Sequence, residues 1–296
     1  MVNSILNKAF EHAKKIKLPR DARLIFFSDL HKGDNSYADD FRFNMKIYEH
    51  ALNQYFREGY TYIQLGDGTE LWENTSFKPI YETYKSTFEL MKRFKDENRL
   101  YLLWGNHDME FRDPKVLEKV LRTFFIPKNI SDKATYFDLK YHESLLLEFE
   151  NVSRSIFAMH GHQADYMNYR HWKFNRFFVR YFWKYLQKWF GISDPTSPAK
   201  NYKGLIKVER KLNQWIVNNN QQMVICGHTH RPRFPSPGDI PLFNDGSCVH
   251  PESIIGIEIL DFEISLVKWH QHSDDTGQAR IVKSVLEGPE SLDKYL

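Results

Sequence analysis

At 296 residues, with 42% hydrophobic and 27% charged side chains, the chain can bury a core and has the make-up of an ordinary globular protein rather than a disordered or collagen-like one. A net charge of +3 is too small to mark a nucleic-acid binder, two cysteines (Cys226 and Cys248) exclude a disulfide framework, and no apolar run approaches the ~18 residues of a membrane span. The N-terminal stretch lacks the apolar core and cleavage pattern of a secretion signal, so a reducing, cytoplasmic setting is expected.

Residues 3–17 read as a helix, with Ile5, Leu6, Phe10 and Ala13 at helical spacing. Residues 23–28 form a buried strand, residues 38–58 a helix stopped by Gly59, and residues 61–65 the next strand. A helix over 79–97 starts at Pro79, and 99–104 returns as a strand. This alternation implies right-handed crossovers and a largely parallel sheet. Residues 135–160 carry two or three strands with short gaps, as in antiparallel hairpins. Residues 165–190 and 199–218 are helical, and strands follow at 222–226, 241–245, 253–260 and 262–270, with Asp261 turning between the last two. The expected architecture is a single α/β domain, two sheets in a sandwich, with a helical insertion over about 164–220.

Metal-ligand side chains cluster where these strands end: Asp29-x-His31, Gly66-Asp67, Gly105-Asn106-His107-Asp108, His160-Gly161-His162 and Gly227-His228-Thr229-His230. Ligands in open α/β sheets gather beyond the carboxyl ends of strands. Scattered carboxylates and imidazoles can therefore converge there, and such donors suit manganese, iron or zinc as divalent ions. Each piece is weak alone; five in this order, each after a strand, are not.

That order resembles the calcineurin-like metallophosphoesterases over residues 24–230 and the strands beyond. The resemblance implies a four-layer α/β/β/α sandwich of two mixed sheets around two divalent metal ions, manganese first, with iron or zinc as alternatives. It further implies that Asp29, His31 and His230 hold one ion, Asn106, His160 and His228 the other, and that Asp67 bridges. His107 would stand near the leaving group, its ring held by Asp108. Within His160-Gly161-His162 the first histidine is favoured as ligand, with His162 lining the pocket or orienting the insertion. Two divalent ions outweigh two Asp carboxylates and a hydroxide, so the centre stays positive, attracts a phosphate ester and generates an attacking hydroxide near neutral pH. The expected function is hydrolysis of a phosphate ester or pyrophosphate bond.

Around this centre Glu70 and Trp72 either reach substrate or belong to a helix that starts in 68–73, Arg231 either contacts phosphate or faces solvent, and Asn244, Asp245 and Gly246 read as a turn. His250 is a weaker site candidate. In residues 165–190, Arg170, Lys173, Arg176, Arg180, Lys184 and Lys188 form a basic stripe opposite an aromatic face. Three readings compete: a core helix with a solvated stripe, a lid over the metals, or peripheral contact with an anionic membrane. The insertion and the Gly-Asp-x-x-Glu-x-Trp pattern are similar to UDP-2,3-diacylglucosamine pyrophosphohydrolases, which implies a lipid-linked substrate as one alternative to a phosphorylated small molecule or nucleotide. A non-catalytic scaffold that keeps the fold is the rival of another class.

Overall fold

A computed structural model describes residues 2–125, 139–183, 202–273 and 278–296. Two mixed sheets carry the chain. The larger has seven strands in the order β12-β11-β10-β2-β3-β4-β5, and the smaller five in the order β1-β6-β7-β8-β9. The strands are β1 (Lys14–Leu18), β2 (Leu24–Phe27), β3 (Thr61–Leu65), β4 (Leu100–Leu103), β5 (Tyr141–His142), β6 (Ser144–Phe149), β7 (Ser155–Met159), β8 (Val224–Cys226), β9 (Leu242–Asn244), β10 (Ser253–Leu260), β11 (Glu263–Ser273) and β12 (Ala279–Ser291). Strands β2 to β5 run parallel, as do β7 to β9, which points the carboxyl ends of β2, β3, β4, β7 and β8 at a common rim.

The pleat sorts the core. In β2, Leu24 and Phe26 face the interior between the sheets, while Ile25 and Phe27 face the helices outside. In β7, Ile156 and Ala158 face the other sheet, whereas Phe157 and Met159 meet helices on the far side. Alternation with period two on strands buried on both faces demands a nearly unbroken apolar run, which LIFF supplies. Helices α2 (Met45–Arg57) and α4 (Lys85–Asp96) cover the larger sheet, and α1 (Val2–Glu11) and the helix Tyr202–Asn218, here α8, cover the smaller one. Helices, sheet, sheet and helices therefore stack in four layers. No described helix is long and apolar enough to cross a membrane.

Several expectations need correcting. The N-terminal helix stops at Glu11, and residues 14–18 form strand β1, in which Ile16 and Leu18 point inward between exposed lysines. The helix expected over 79–97 is two, α3 (Phe77–Thr83), capped by the Ser76 hydroxyl, and α4, broken at Tyr84, whose hydroxyl donates to Asp39. Residues 68–73 form a turn, not a helix. Helix α5 (Pro114–Phe124) and edge strand β12 were not expected; β12 is largely exposed and lacks an alternating pattern. The stretch from 165 is α6 (Tyr166–Arg170), α7 (Trp172–Phe178) and a π-helical turn, Val179–Trp183, broken at His171; residues 135–138, 184–190 and 199–201 lie outside the described residues.

The described part of the basic stripe divides: Arg170 and Lys173 are exposed, whereas Arg176 and Arg180 turn to protein. Arg176 pairs with Glu110, and Arg180 donates to the carbonyl oxygens of Leu71, Trp72 and Asn74 at 2.6, 3.0 and 3.3 Å. The neighbouring Phe174, Phe177 and Tyr181 are exposed instead.

Candidate metal centre

The strand ends are tied to one another by backbone. Asp29 and His31 donate their amides to the carbonyls of Gly66 and Asp67, Gly227 donates to His160 O, and Asp245 donates to Cys226 O. These loops turn sharply. Asp29, His31, Asp67, His228 and His230 all adopt positive φ, between 48° and 70°. A left-handed residue other than glycine costs about 1–2 kcal/mol, and such strain concentrates at functional sites. The turns also bring backbone against side chain: a Cβ at Gly105 would stand 2.0 Å from Asp67 Oδ1, and one at Gly227 2.1 Å from Ser28 Oγ.

These turns bring the sequence-predicted residues together. Asp29, His31 and His230 form one group whose ligand atoms all lie within 4.8 Å of one another; His31, Asp67 and His107 form a second, and Asp67, His160 and His228 a third. Asp67 Oδ2 lies 3.1 Å from His160 Nε2 and 3.8 Å from His31 Nε2, while Asp29 Oδ1 lies 3.1 Å from His230 Nε2. Asn106 is buried between Gly105 and His107, and the His107 amide donates to Asp67 Oδ1 at 2.8 Å. His107, expected apart from the ligands, falls inside one of the groups.

The outer atoms are held by protein, the inner ones are not. His160 donates Nδ1–H to Leu65 O at 2.8 Å, and His31 presents Nδ1 to Glu70 Oε2 at 2.9 Å, which in both rings leaves Nε2 facing inward, the nitrogen that would bind a cation. Asp29 Oδ2 accepts from Ser28 Oγ and from the His228 amide. The inward atoms, Asp29 Oδ1, His31 Nε2, Asn106 Oδ1, His160 Nε2 and His228 Nε2, are buried without a hydrogen-bond partner. Each such atom costs about 1–3 kcal/mol when left unsatisfied. A carboxylate, amide and imidazole donor set of this kind fits divalent cations of the manganese, iron and zinc class.

The electrostatics point the same way. Burial raises the Asp29 and Asp67 carboxyls, but the charges of His230 and His160 on the first, and of His160 and His107 on the second, outweigh it and hold both well below the usual range. Burial lowers His160, yet the Asp67 and Asp29 carboxylates push it up to about 9. Burial likewise lowers His31, but the neighbouring Asp29, Glu70 and Asp67 carboxylates raise it well above the ordinary value. Protons thus stand where cations would neutralise the same carboxylates.

Several expected roles change. Asp108 does not hold the His107 ring: its carboxylate accepts from the amides of Gly105 (2.6 Å), Gly68 (2.8 Å) and Thr69 (3.3 Å), and burial lifts it to about 6. Glu70 takes that place, with Oε2 2.7 Å from His107 Nδ1; burial raises it, but the His107 and His31 charges bring it down to about 2. Trp72 stacks on His107, centroids 4.2 Å apart, and both Glu70 and Trp72 are buried against the histidines. His162 has no exposed surface through which to touch substrate; both ring nitrogens lack partners, and burial, then His160 and His228, keep it well below its ordinary value. Arg231 is exposed, and His250 Nε2 lies 3.3 Å from His230 O.

Other residues were missed. Asp245, read as a turn, is fully buried, and its Oδ1 lies 2.7 Å from Ser28 Oγ. Burial and then Asp29 hold its carboxyl well above the usual range. Ser28 Oγ thus stands between two carboxylates, within donating distance of both Asp29 Oδ2 and Asp245 Oδ1. Asn244 donates to Gly227 O and Thr229 Oγ1, fixing the loop that bears His228 and His230. Asp165, whose Oδ1 caps α6, brings Oδ2 to 3.7 Å from His228 Nε2. The signal for Asp245 was its place after a strand beside β8, but burial is invisible in an isolated turn motif.

A family model described as calcineurin-like phosphoesterase matches residues 22–232. Among solved structures, the chain is similar to a predicted phosphoesterase from Streptococcus pneumoniae TIGR4 (17% identity, 89% of this chain and 98% of that chain, TM-score 0.35). It is also similar to Vacuolar Protein Sorting 29 from Cryptosporidium parvum (12% identity, 90% and 98%, TM-score 0.38). A third likeness is to a putative 5'-nucleotidase from Staphylococcus aureus (12% identity, 90% and 54%, TM-score 0.38). No curated protein matches.

Proposed function

The chain belongs to the calcineurin-like phosphoesterase family, and on that premise we propose that it hydrolyses a phosphate ester or pyrophosphate bond with two divalent cations. Asp29, His31 and His230 would hold one, Asn106, His160 and His228 the other, with Asp67 serving both. The observation that carries this reading is the set of five buried inward-facing atoms left without partners. When bound, such ions supply Lewis acidity, screen the phosphate charge and acidify water.

The remaining work falls to side chains. His107, with Nδ1 on Glu70 and its face on Trp72, keeps Nε2 for a proton that it gives to the departing oxygen. Asp108 fixes the Gly105 and Gly68 turns that carry Asn106 and Asp67. Arg231 is assigned to the substrate's outer phosphate oxygens. Of the insertion expected over 164–220, Tyr202–Asn218 packs on the smaller sheet, so residues 166–183 are assigned as a cap, along which the rest of a phosphorylated small molecule, nucleotide or lipid-linked substrate would lie.

A manganese-supplemented panel tests this: p-nitrophenyl phosphate and its bis ester, nucleotides, cyclic nucleotides, UDP-sugars and phosphopeptides, with metal content measured alongside. Turnover that disappears with chelator and returns with metal supports the reading. Two bound ions with no turnover on any member would turn it to a binding scaffold.

A further inference from the structure

The turn 70–74 is gripped from two sides. Its amides belong to Glu70: Oε1 accepts from Trp72 N at 3.0 Å and Glu73 N at 3.2 Å, and the Glu70 carbonyl accepts from Asn74 N at 3.3 Å. Its carbonyls belong to Arg180, whose Nε and Nη2 take the oxygens of Leu71, Trp72 and Asn74. A carboxylate thus holds one polarity of the turn and a guanidinium from 108 residues away in sequence holds the other. Backbone carbonyls in a tight turn have few other partners, and a planar fork can serve several at once.

This turn is also the mount of His107. Glu70 Oε2 pairs with its Nδ1, Trp72 stacks on its ring, and the Leu71 amide donates to its carbonyl oxygen at 3.2 Å. We infer that Arg180 is a positioning residue: by clasping the 71–74 carbonyls it fixes Glu70 and Trp72, and through them the His107 ring, so that seating of the cap assembles the proton donor. The inference rests on the proposed hydrolytic reading for its effect on turnover, but the coupling between Arg180 and the turn does not. The parallel pair of Arg176 and Glu110, on the loop just beyond Asp108, seats the same segment a turn away.

The test uses the full chain carrying Arg180→Met and, separately, Arg180→Lys. Hydrogen exchange without metal reads the turn directly. In Arg180→Met the amides of 71–74 and of His107 should exchange at least fivefold faster, while those of α8 keep their wild-type rates. Turnover should fall about tenfold at unchanged KM and metal content, and Arg180→Met placed in a His107→Ala background should cause no further loss. Arg180→Lys keeps the charge but not the fork, and should recover only part of the loss.

Unaltered exchange over 71–74 would overturn the inference, whatever the assays show. So would a raised KM at constant kcat, full recovery by lysine, or losses that multiply with His107→Ala. If the wild-type chain hydrolyses no phosphoester, the proposed function fails, and the exchange rates alone still decide whether Arg180 holds the turn.

Discussion

The Trp72 indole lies nearly parallel on the His107 imidazole, with ring centroids 4.2 Å apart and 21° between the planes. The tryptophan is buried and its neighbour Glu70 meets the same imidazole at Nδ1, so the ring is held across its face and at one edge. Trp72→Ala should therefore remove both packing and alignment. Stability is expected to drop by about 3–5 kcal/mol, and turnover by about tenfold from misplacement of the ring. Trp72→Phe should keep most of both. Thermal denaturation with steady-state kinetics checks it; an unaltered kcat in a folded Trp72→Ala would remove the alignment argument.

His107 and Asp67 should separate chemistry from metal holding. His107→Ala is expected to keep metal content at the wild-type level and lose at least about tenfold in turnover, a floor beneath the ~10²–10⁴-fold typical of a general acid. Asp67→Ala should lose metal itself, since Asp67 Oδ2 faces His31 and His160 together. Elemental analysis after dialysis, read beside kcat, distinguishes the two; full occupancy and activity in Asp67→Ala would end the assignment.

Gly105 admits no side chain. An added Cβ would stand 2.0 Å from Asp67 Oδ1 and 2.6 Å from its backbone nitrogen. Gly105→Ala should push Asp67 out of line, costing about 1–3 kcal/mol of stability and most of the bound metal. Calorimetry and metal titration would show it, and an occupied, fully active Gly105→Ala would mean the turn yields more than its geometry suggests.

Asp245 sets a pH dependence in the metal-free protein. Its carboxyl is raised in the fold by burial and then by Asp29, so it stays protonated while the unfolded chain ionises near ~3.9. The unfolded state then binds fewer protons, and this residue's contribution falls as pH rises above about 4, by up to ~1.4 kcal/mol per unit, until the folded carboxyl itself ionises. Asp245→Asn is nearly isosteric and cannot ionise. Its stability relative to wild type should therefore improve steadily with pH above about 4. Urea melts in chelator between pH 4 and 8 measure this, and a constant difference would mean that Asp245 is ionised in the fold.

The sequence made the centre legible because its ligands sit immediately after strands whose apolar runs are unmistakable. LIFF precedes Asp29, TYIQL ends one residue before Gly66-Asp67, and VIC precedes Gly227-His228. The helices were legible where apolar spacing was strong, as in Ile47, Tyr48, Ala51, Leu52 and Tyr55 of α2. Strand β1 was hidden because Lys14, Lys15 and Lys17 leave only Ile16 and Leu18 to signal alternation, and the preceding helical pattern runs into it. Edge strand β12 was hidden because an exposed edge needs no apolar face, so its pairing with β11 leaves little trace in composition.

What the chain determines by itself is which donors stand at which strand ends, since short-range pattern fixes both the strands and the turns that follow them. Which partner each donor turns to was decided only by tertiary packing. Asp108 faces backbone amides rather than His107, Glu70 faces two histidines, Asp245 reaches Asp29 through Ser28, and Arg180 turns inward to a loop over a hundred residues away. Those choices depend on burial and on the apposition of two sheets. A hydrogen bond between distant segments is specified by where both ends come to rest, and no local spacing carries that information.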